Sequence, residues 1–187
     1  MKTIKNILII IANPLEESFS FAMANAYKKK SLEQGDKVEV LDLYRDKNQQ
    51  DFYLREEFQT KEMDYYQAKI SKADELVFVF PYWWGSMPAI LKNFIDWNFS
   101  SGFAFKYVNS RPIGLLKNKK VKILATSGAP YLYYFLTGAN RRLKNMFKQQ
   151  IINLTGMKLE VFKLYGSMDT KNRNTQKILV NIEQGNL

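Results

Sequence analysis

Two unbroken apolar runs constrain this chain more than any other feature. Ile7-Leu8-Ile9-Ile10-Ile11-Ala12 and Leu76-Val77-Phe78-Val79-Phe80 contain no polar residue. Neither alternates, so each predicts a strand covered on both faces, as in a parallel sheet layered between helices. Both are far shorter than the ~20 residues a bilayer span needs. Val121 to Ala125 predicts a third, mostly apolar strand, while Val38 to Leu43 and Lys158 to Tyr165 predict strands that carry charge.

Helical patterns separate these strands. Ser18 to Glu33 sets Phe19, Met23, Ala26 and Tyr27 toward one side, and Gly35 follows where a helix should stop. Lys61 to Lys72 turns Met63, Tyr66 and Ile70 inward. Ser86 and Pro88 offer a cap and a first-turn proline to a helix striped by Ile90, Leu91, Phe94 and Ile95. Leu143, Met146, Phe147, Gln150, Ile151 and Leu154 form another helical face closed by Gly156, and Thr170 to Ile182 predicts a last helix. Arg45 to Thr60 and Ser100 to Asn118 read as long connections, the second rich in aromatics. Strand then helix, about five times over, predicts one α/β domain across 1–187, a three-layer sandwich with a five-stranded parallel sheet. The charged second and fifth strands belong at the edges. Order 2-1-3-4-5 places them there, whereas 3-2-1-4-5 would bury the second strand and push the third outward.

Composition removes whole classes of chemistry. The chain has no cysteine and no histidine, which excludes disulfides, thiolate nucleophiles, histidine triads and nearly all transition-metal sites. No metal site is expected, and an enzyme of this composition must borrow its chemistry from a cofactor. The net charge of +10 is spread along the chain, with short clusters at Lys28-Lys29-Lys30 and Lys117 to Lys122. No basic helix motif accompanies it, so no nucleic-acid partner is expected. The start, Met1-Lys2-Thr3-Ile4-Lys5-Asn6, leads into an apolar stretch too short for a signal segment, and a cytoplasmic protein without stable membrane insertion is expected.

In open parallel sheets, ligands bind beyond the carboxyl ends of the strands, near the topological switch. Three unusual loops fall there. Asn13-Pro14-Leu15-Glu16-Glu17-Ser18-Phe19-Ser20 lacks a phosphate-loop glycine pattern but offers hydroxyls and the start of a helix, which favours phosphate. Pro81-Tyr82-Trp83-Trp84-Gly85-Ser86 places two adjacent tryptophans that cannot both turn inward, a wall suited to a flat heteroaromatic ligand. Thr126-Ser127-Gly128-Ala129-Pro130-Tyr131 combines small residues with hydroxyls and is followed by Tyr133 and Tyr134. Each loop also has an ordinary explanation as a turn or satellite core; their coincidence at one edge is the signal.

At Ser18 to Met23, Asp42-Leu43-Tyr44, Pro81 to Trp84, Pro88-Ala89-Ile90-Leu91-Lys92, Gly102 to Phe105 and Thr126 to Gly128, the sequence resembles the NAD(P)H:quinone oxidoreductase family, flavodoxin-like flavoproteins of the DT-diaphorase and modulator-of-drug-activity type. The resemblance runs from the first strand to about Gly166. It implies a flavin held by Ser18, Phe19 and Ser20 at its phosphates, by Pro81, Tyr82, Trp83 and Trp84 along its ring, and by Thr126, Ser127 and Gly128 at the ring's polar edge. Asn13, Gly85 and Ala129 complete the cofactor set. Asn13 replaces a histidine frequent in relatives, Gly85 a common aromatic and Ala129 a second glycine. Tyr134 matches a tyrosine that hydrogen-bonds the flavin during hydride transfer, and Asn140 falls where mammalian members carry a histidine. Phe105 and Tyr107 match aromatics that cover the site of a second subunit, so a homodimer is implied, and Tyr131 joins them as a substrate contact.

The activity implied is two-electron, ping-pong reduction of a quinone or similar flat acceptor by NAD(P)H. One aromatic-walled slot receives donor and acceptor in turn. The Ser18–Met23 stretch leans toward FAD, with FMN as the alternative. Nitro-, azo- or FMN reduction on the same fold, and a flavin-binding regulatory subunit of a membrane transport system, are the other functions this resemblance admits.

Overall fold

The computed structural model describes residues 3–53, 59–168 and 174–187. Strands β1 (Asn6–Ile11), β2 (Lys37–Asp42), β3 (Glu75–Pro81), β6 (Lys120–Thr126) and β7 (Lys158–Tyr165) form a parallel sheet in the order β2-β1-β3-β6-β7. This is the expected 2-1-3-4-5 order, renumbered because a two-stranded antiparallel sheet, β4 (Phe105–Val108) with β5 (Arg111–Gly114), intervenes. The apolar runs occupy the centre. β3 is buried along its whole length, and β1 everywhere but its first residue, while β2 at the edge buries only Leu41.

Helices α1 (Phe19–Glu33) and α7 (Asn174–Glu183) cover one face over Ile7, Ile9, Ile11, Val77, Val79 and Leu124. On the other, Leu8, Ile10, Phe78, Phe80 and Ile123 pack under α2 (Lys61–Lys72), α3 (Ala89–Asn98) and a helix made of α5 (Ala139–Asn145), the π-helical stretch Met146–Ile152 and α6 (Asn153–Thr155). The Leu143–Leu154 face differs from the expectation. Leu143, Phe147, Ile151 and Ile152 are buried, but Gln150 is exposed, because the π-helical stretch widens the turn and changes the facing residues. The last helix is described from Asn174, and the start expected for it at Thr170 lies outside the described residues, as do residues 54–58 of the Arg45–Thr60 connection. None of the described helices is long and apolar enough to cross a membrane.

The second long connection contains structure the sequence reading left out. Asn109 and Ser110, both left-handed at φ 50° and 62°, close the β4–β5 hairpin, the conformation a two-residue turn needs to match strand twist.

At the amino end of β3, Glu75 is fully buried. The Tyr27 hydroxyl donates to its carboxylate. Lys122 Nζ donates to Tyr27 Oη at 2.6 Å and lies 3.2 Å from Glu75 Oε2. Burial, then the Glu75 carboxylate, push the Tyr27 phenol up, and burial alone raises Tyr165 to about 12. An unfolded tyrosine ionises at 10.0. Above that value the unfolded chain gives up phenol protons that the folded one keeps, so stability falls with rising pH. The contribution is whole below pH 10 and drains as pH climbs through the folded values. Thermal midpoints should therefore drop steadily from pH 10 to about 12; a midpoint flat across that range would contradict the burial of these phenols.

Candidate functional site

The strands β1, β3 and β6 end side by side, so the loops that follow them share one edge. Two polar bonds lock these loops together, and a third braces the first loop. Asn13 is buried and donates through Nδ2 to Ser20 Oγ at 3.1 Å. Ser20 Oγ lies 3.4 Å from Thr126 Oγ1. The Tyr82 N–H donates to the Thr126 carbonyl at 2.6 Å. Asn13, Ser20, Tyr82 and Thr126 are thus brought together from the three segments the sequence singled out.

Within the first loop, Asn13 Oδ1 accepts the Leu15 N–H at 2.9 Å, an Asx turn that aims the chain into α1. Ser18 occupies the backbone position of an N-cap, yet its hydroxyl caps nothing, and Oγ is buried without a hydrogen-bond partner. The first turn of α1 holds no acidic residue. Its leading N–H groups have no intrahelical acceptor, and an anion is the natural partner for such donors. Phe19 and Phe21 are half-buried, and Arg45 lies over the Phe21 ring at 5.5 Å. Arg45 also donates to the Pro14 carbonyl and pairs with Glu16 and Asp42, fastening the loop to the end of β2. Sequence reasoning missed Arg45, treating it only as the start of a polar connection.

The second loop is a tight turn. Trp83 and Ser86 exchange backbone bonds of 3.1 and 2.9 Å, with Trp84 at φ 49° and Gly85 at φ 82° on the corners. Two left-handed residues in succession explain the glycine, since a side chain there is strained. This corrects the capping expectation: Ser86 is committed to the turn, and Pro88 itself holds the cap position before α3, with no side-chain bond. Neither tryptophan enters the core. Trp83 is 43% exposed and Trp84 entirely so.

In the third loop, Ser127 donates its N–H to the Tyr165 carbonyl at 2.8 Å and its hydroxyl to the Ala129 carbonyl at 3.3 Å. Ser167 N–H returns to Ala129 at 3.0 Å. Space beside Gly128 is open: a side chain there would meet nothing within 4 Å. Helix α4 (Tyr131–Leu136) follows and buries none of its residues. Tyr134 meets Tyr82 edge-on at 5.3 Å and Tyr133 at 5.5 Å, which brings it to the same rim. Burial raises the Tyr82 phenol, against the pull of Arg142. Tyr131 Oη accepts from Asn140 Nδ2 at 3.3 Å, so the asparagine at the expected histidine position steadies a ring of α4.

Phe105 and Tyr107 do not join this rim within one chain. They touch each other edge-on at 5.8 Å on the hairpin. The chain leaving that hairpin meets the opposite, amino-terminal end of the sheet, where the Leu116 N–H donates to Thr155 and the Lys158 N–H to Lys119. Pro81, the last residue of β3, is buried beneath the rim.

The rim therefore offers an unpartnered hydroxyl at a helix start, exposed flat indoles and an open glycine edge, features that suit a phosphate-bearing planar ligand. A family model described as the flavodoxin-like fold matches residues 5–184. The chain belongs to that family. A Haemophilus influenzae relative with the name uncharacterized NAD(P)H oxidoreductase is 31% identical over 185 residues, 95% of this chain and 91% of the relative. The FMN-dependent NADH:quinone oxidoreductase of Coprothermobacter proteolyticus is 35% identical over 143 residues, covering 67% of this chain and 69% of that one. Among solved structures, an NAD(P)H:quinone oxidoreductase from Methanothermobacter marburgensis superposes with a TM-score of 0.84 at 22% identity, over 98% of this chain and 95% of that one. At that identity the superposition speaks for the fold. Family membership and these relatives bear out the resemblance that the six motifs from Ser18 to Gly128 carry.

Proposed function

We propose that this chain is an FMN-dependent oxidoreductase that passes electrons from NAD(P)H to quinones or related flat acceptors. One observation carries the reading: the locked junction of Asn13, Ser20, Tyr82 and Thr126, which sets the buried, unpartnered Ser18 hydroxyl, the Trp83–Trp84 turn and the Gly128 edge around one rim. The names of relatives support FMN, and the lean toward FAD taken from Ser18–Met23 is set aside. That stretch supplies a phosphate grip that a mononucleotide uses equally well.

Ser18, Phe19 and Ser20 would hold the FMN phosphate through hydroxyls and helix N–H groups, with Asn13 fixing Ser20. Pro81, Tyr82, Trp83, Trp84 and Gly85 would line the ring, and Thr126, Ser127, Gly128 and Ala129 its polar edge. Bound FMN would supply the two-electron redox chemistry that links the nicotinamide donor to the acceptor. The chain's own work is to position and desolvate. Tyr134, braced by Tyr82 and Tyr133, holds a phenolic proton at the rim, and Tyr131 flanks the slot. Phe105 and Tyr107 would serve a neighbouring copy in a homodimer, because their own hairpin departs from the far end of the sheet. A cytoplasmic setting and a single domain accord with this role.

Purified protein should carry a yellow chromophore with the mass of FMN. Rapid mixing with NADH or NADPH alone should bleach it before any quinone is added. Colourless protein that takes up no FMN would end the proposal.

A further inference from the structure

Beside the rim lies a second concavity. Helices α4 and α5 and the edge of β7 enclose a groove of about 940 Å³, within the range of small-molecule sites. Tyr131, Phe135 and Phe162 supply its flat walls, and Arg141, Lys144 and Lys163 its charge. No carboxylate lines it. Among the described residues, none of these three cations forms an ion pair. Some cations elsewhere are answered, Lys29 by Glu183, Lys92 by Asp96 and Lys120 by Glu160; the groove differs in gathering three unanswered ones beside aromatic walls. A basic, aromatic-walled groove with unanswered charges favours an aromatic anion.

The groove and the rim share helix α4. Helix α4 is six residues, about 9 Å long, and joins the two. Tyr131 at its start stands in the groove, and Tyr134, one turn on, meets Tyr82. Arg142 also lines the groove, and its Nη1 donates to the Thr137 carbonyl at 2.8 Å.

We propose that this groove receives the adenosine 2′-phosphate half of the nicotinamide donor, so that the protein selects NADPH over NADH. The inference rests on the reductase reading above and goes beyond it, since the Coprothermobacter relative is named for NADH alone. The adenine ring is common to both donors and gains the same stacking from Tyr131, Phe135 and Phe162. Only NADPH carries the extra phosphate. Arg141 can meet it with a bidentate fork, and Lys144 and Lys163 with point charges. One such charge-assisted contact, partly screened at an open groove, corresponds to about a tenfold preference.

The test uses the full chain and its Arg141→Gln/Lys163→Gln double variant. Calorimetric titration with 2′,5′-ADP and with 5′-ADP reads the subsite without any turnover. The parent should bind 2′,5′-ADP about tenfold more tightly, and the variant should bring the two within about twofold. Steady-state reduction of menadione by the FMN-loaded protein should show the same drop in the NADPH-to-NADH ratio of kcat/KM. Equal binding of the two nucleotides by the parent, or a preference that survives in the variant, overturns the subsite. A double variant that loses kcat/KM only toward a sulfonated acceptor, with the donor ratio unchanged, also overturns it and assigns the charges to the acceptor. No turnover with either donor, alongside a retained 2′,5′-ADP preference, sinks the reductase reading and leaves the anion subsite standing.

Discussion

Changing Gly166 to alanine is expected to weaken FMN binding by about tenfold or more while the sheet stays folded. A Cβ at Gly166 would lie 2.3 Å from the Tyr131 nitrogen and 2.7 Å from the Ala129 oxygen. Both are backbone atoms, so no side chain can swing aside. The neighbouring bonds Ser127 N–H to Tyr165 and Ser167 N–H to Ala129 bind the same two segments, and the methyl must wedge them apart. Overpacking of this kind costs about 1–3 kcal/mol. Spent on displacing the Ser127–Ala129 edge and the start of α4, that is about a tenfold to hundredfold loss of affinity. Quenching of FMN fluorescence reads the affinity, and circular dichroism reads the fold. An unchanged FMN affinity in the folded variant would remove residues 127–129 from the proposed cradle.

Lys122→Met should destabilise the protein by about 3–5 kcal/mol, because it strands the buried Glu75 carboxylate. For a chain of this length that is a fall of roughly 10 °C in Tm. Lys5, 3.9 Å from Glu75 and partly exposed, is too distant and too hydrated to replace it. The double variant Glu75→Leu/Lys122→Met should recover most of the loss, since it leaves no lone buried charge. FMN affinity should hold in both, because this cluster sits at the amino end of β3, away from the rim. A single variant as stable as the parent would show that water already reaches Glu75.

The sheet was legible because its signal is local. Uninterrupted runs such as Ile7–Ala12 suit central strands, and the several charges in Val38–Leu43 and Lys158–Tyr165 are most cheaply kept at edges, where no buried partner is needed. The rim loops were legible because unusual residues fell at strand ends. What escaped depended on partners distant in sequence. Glu75 looks like the polar start of a strand until Tyr27 and Lys122 arrive from α1 and β6. Arg45 gains its meaning only from Pro14 and Glu16. Gly166 is required by the backbone of Tyr131, across the end of β7. The β4–β5 hairpin turns on Asn109-Ser110, a pair whose left-handed conformation lacks the glycine that usually announces it. Ser86 read as a cap because the Trp83 turn that claims it is set by backbone geometry.

No two neighbours in the main sheet are joined by a tight turn. Ile9 pairs with Val77, and Phe78 with Ile123, so each central pairing must close a long loop before it is rewarded. Such a chain should acquire its structure slowly, in milliseconds or longer. During synthesis, the aliphatic segment at the front must wait for β3 to emerge from the ribosome before it is fully covered. That interval is when this protein is most exposed to self-association, and when a chaperone would have most to protect.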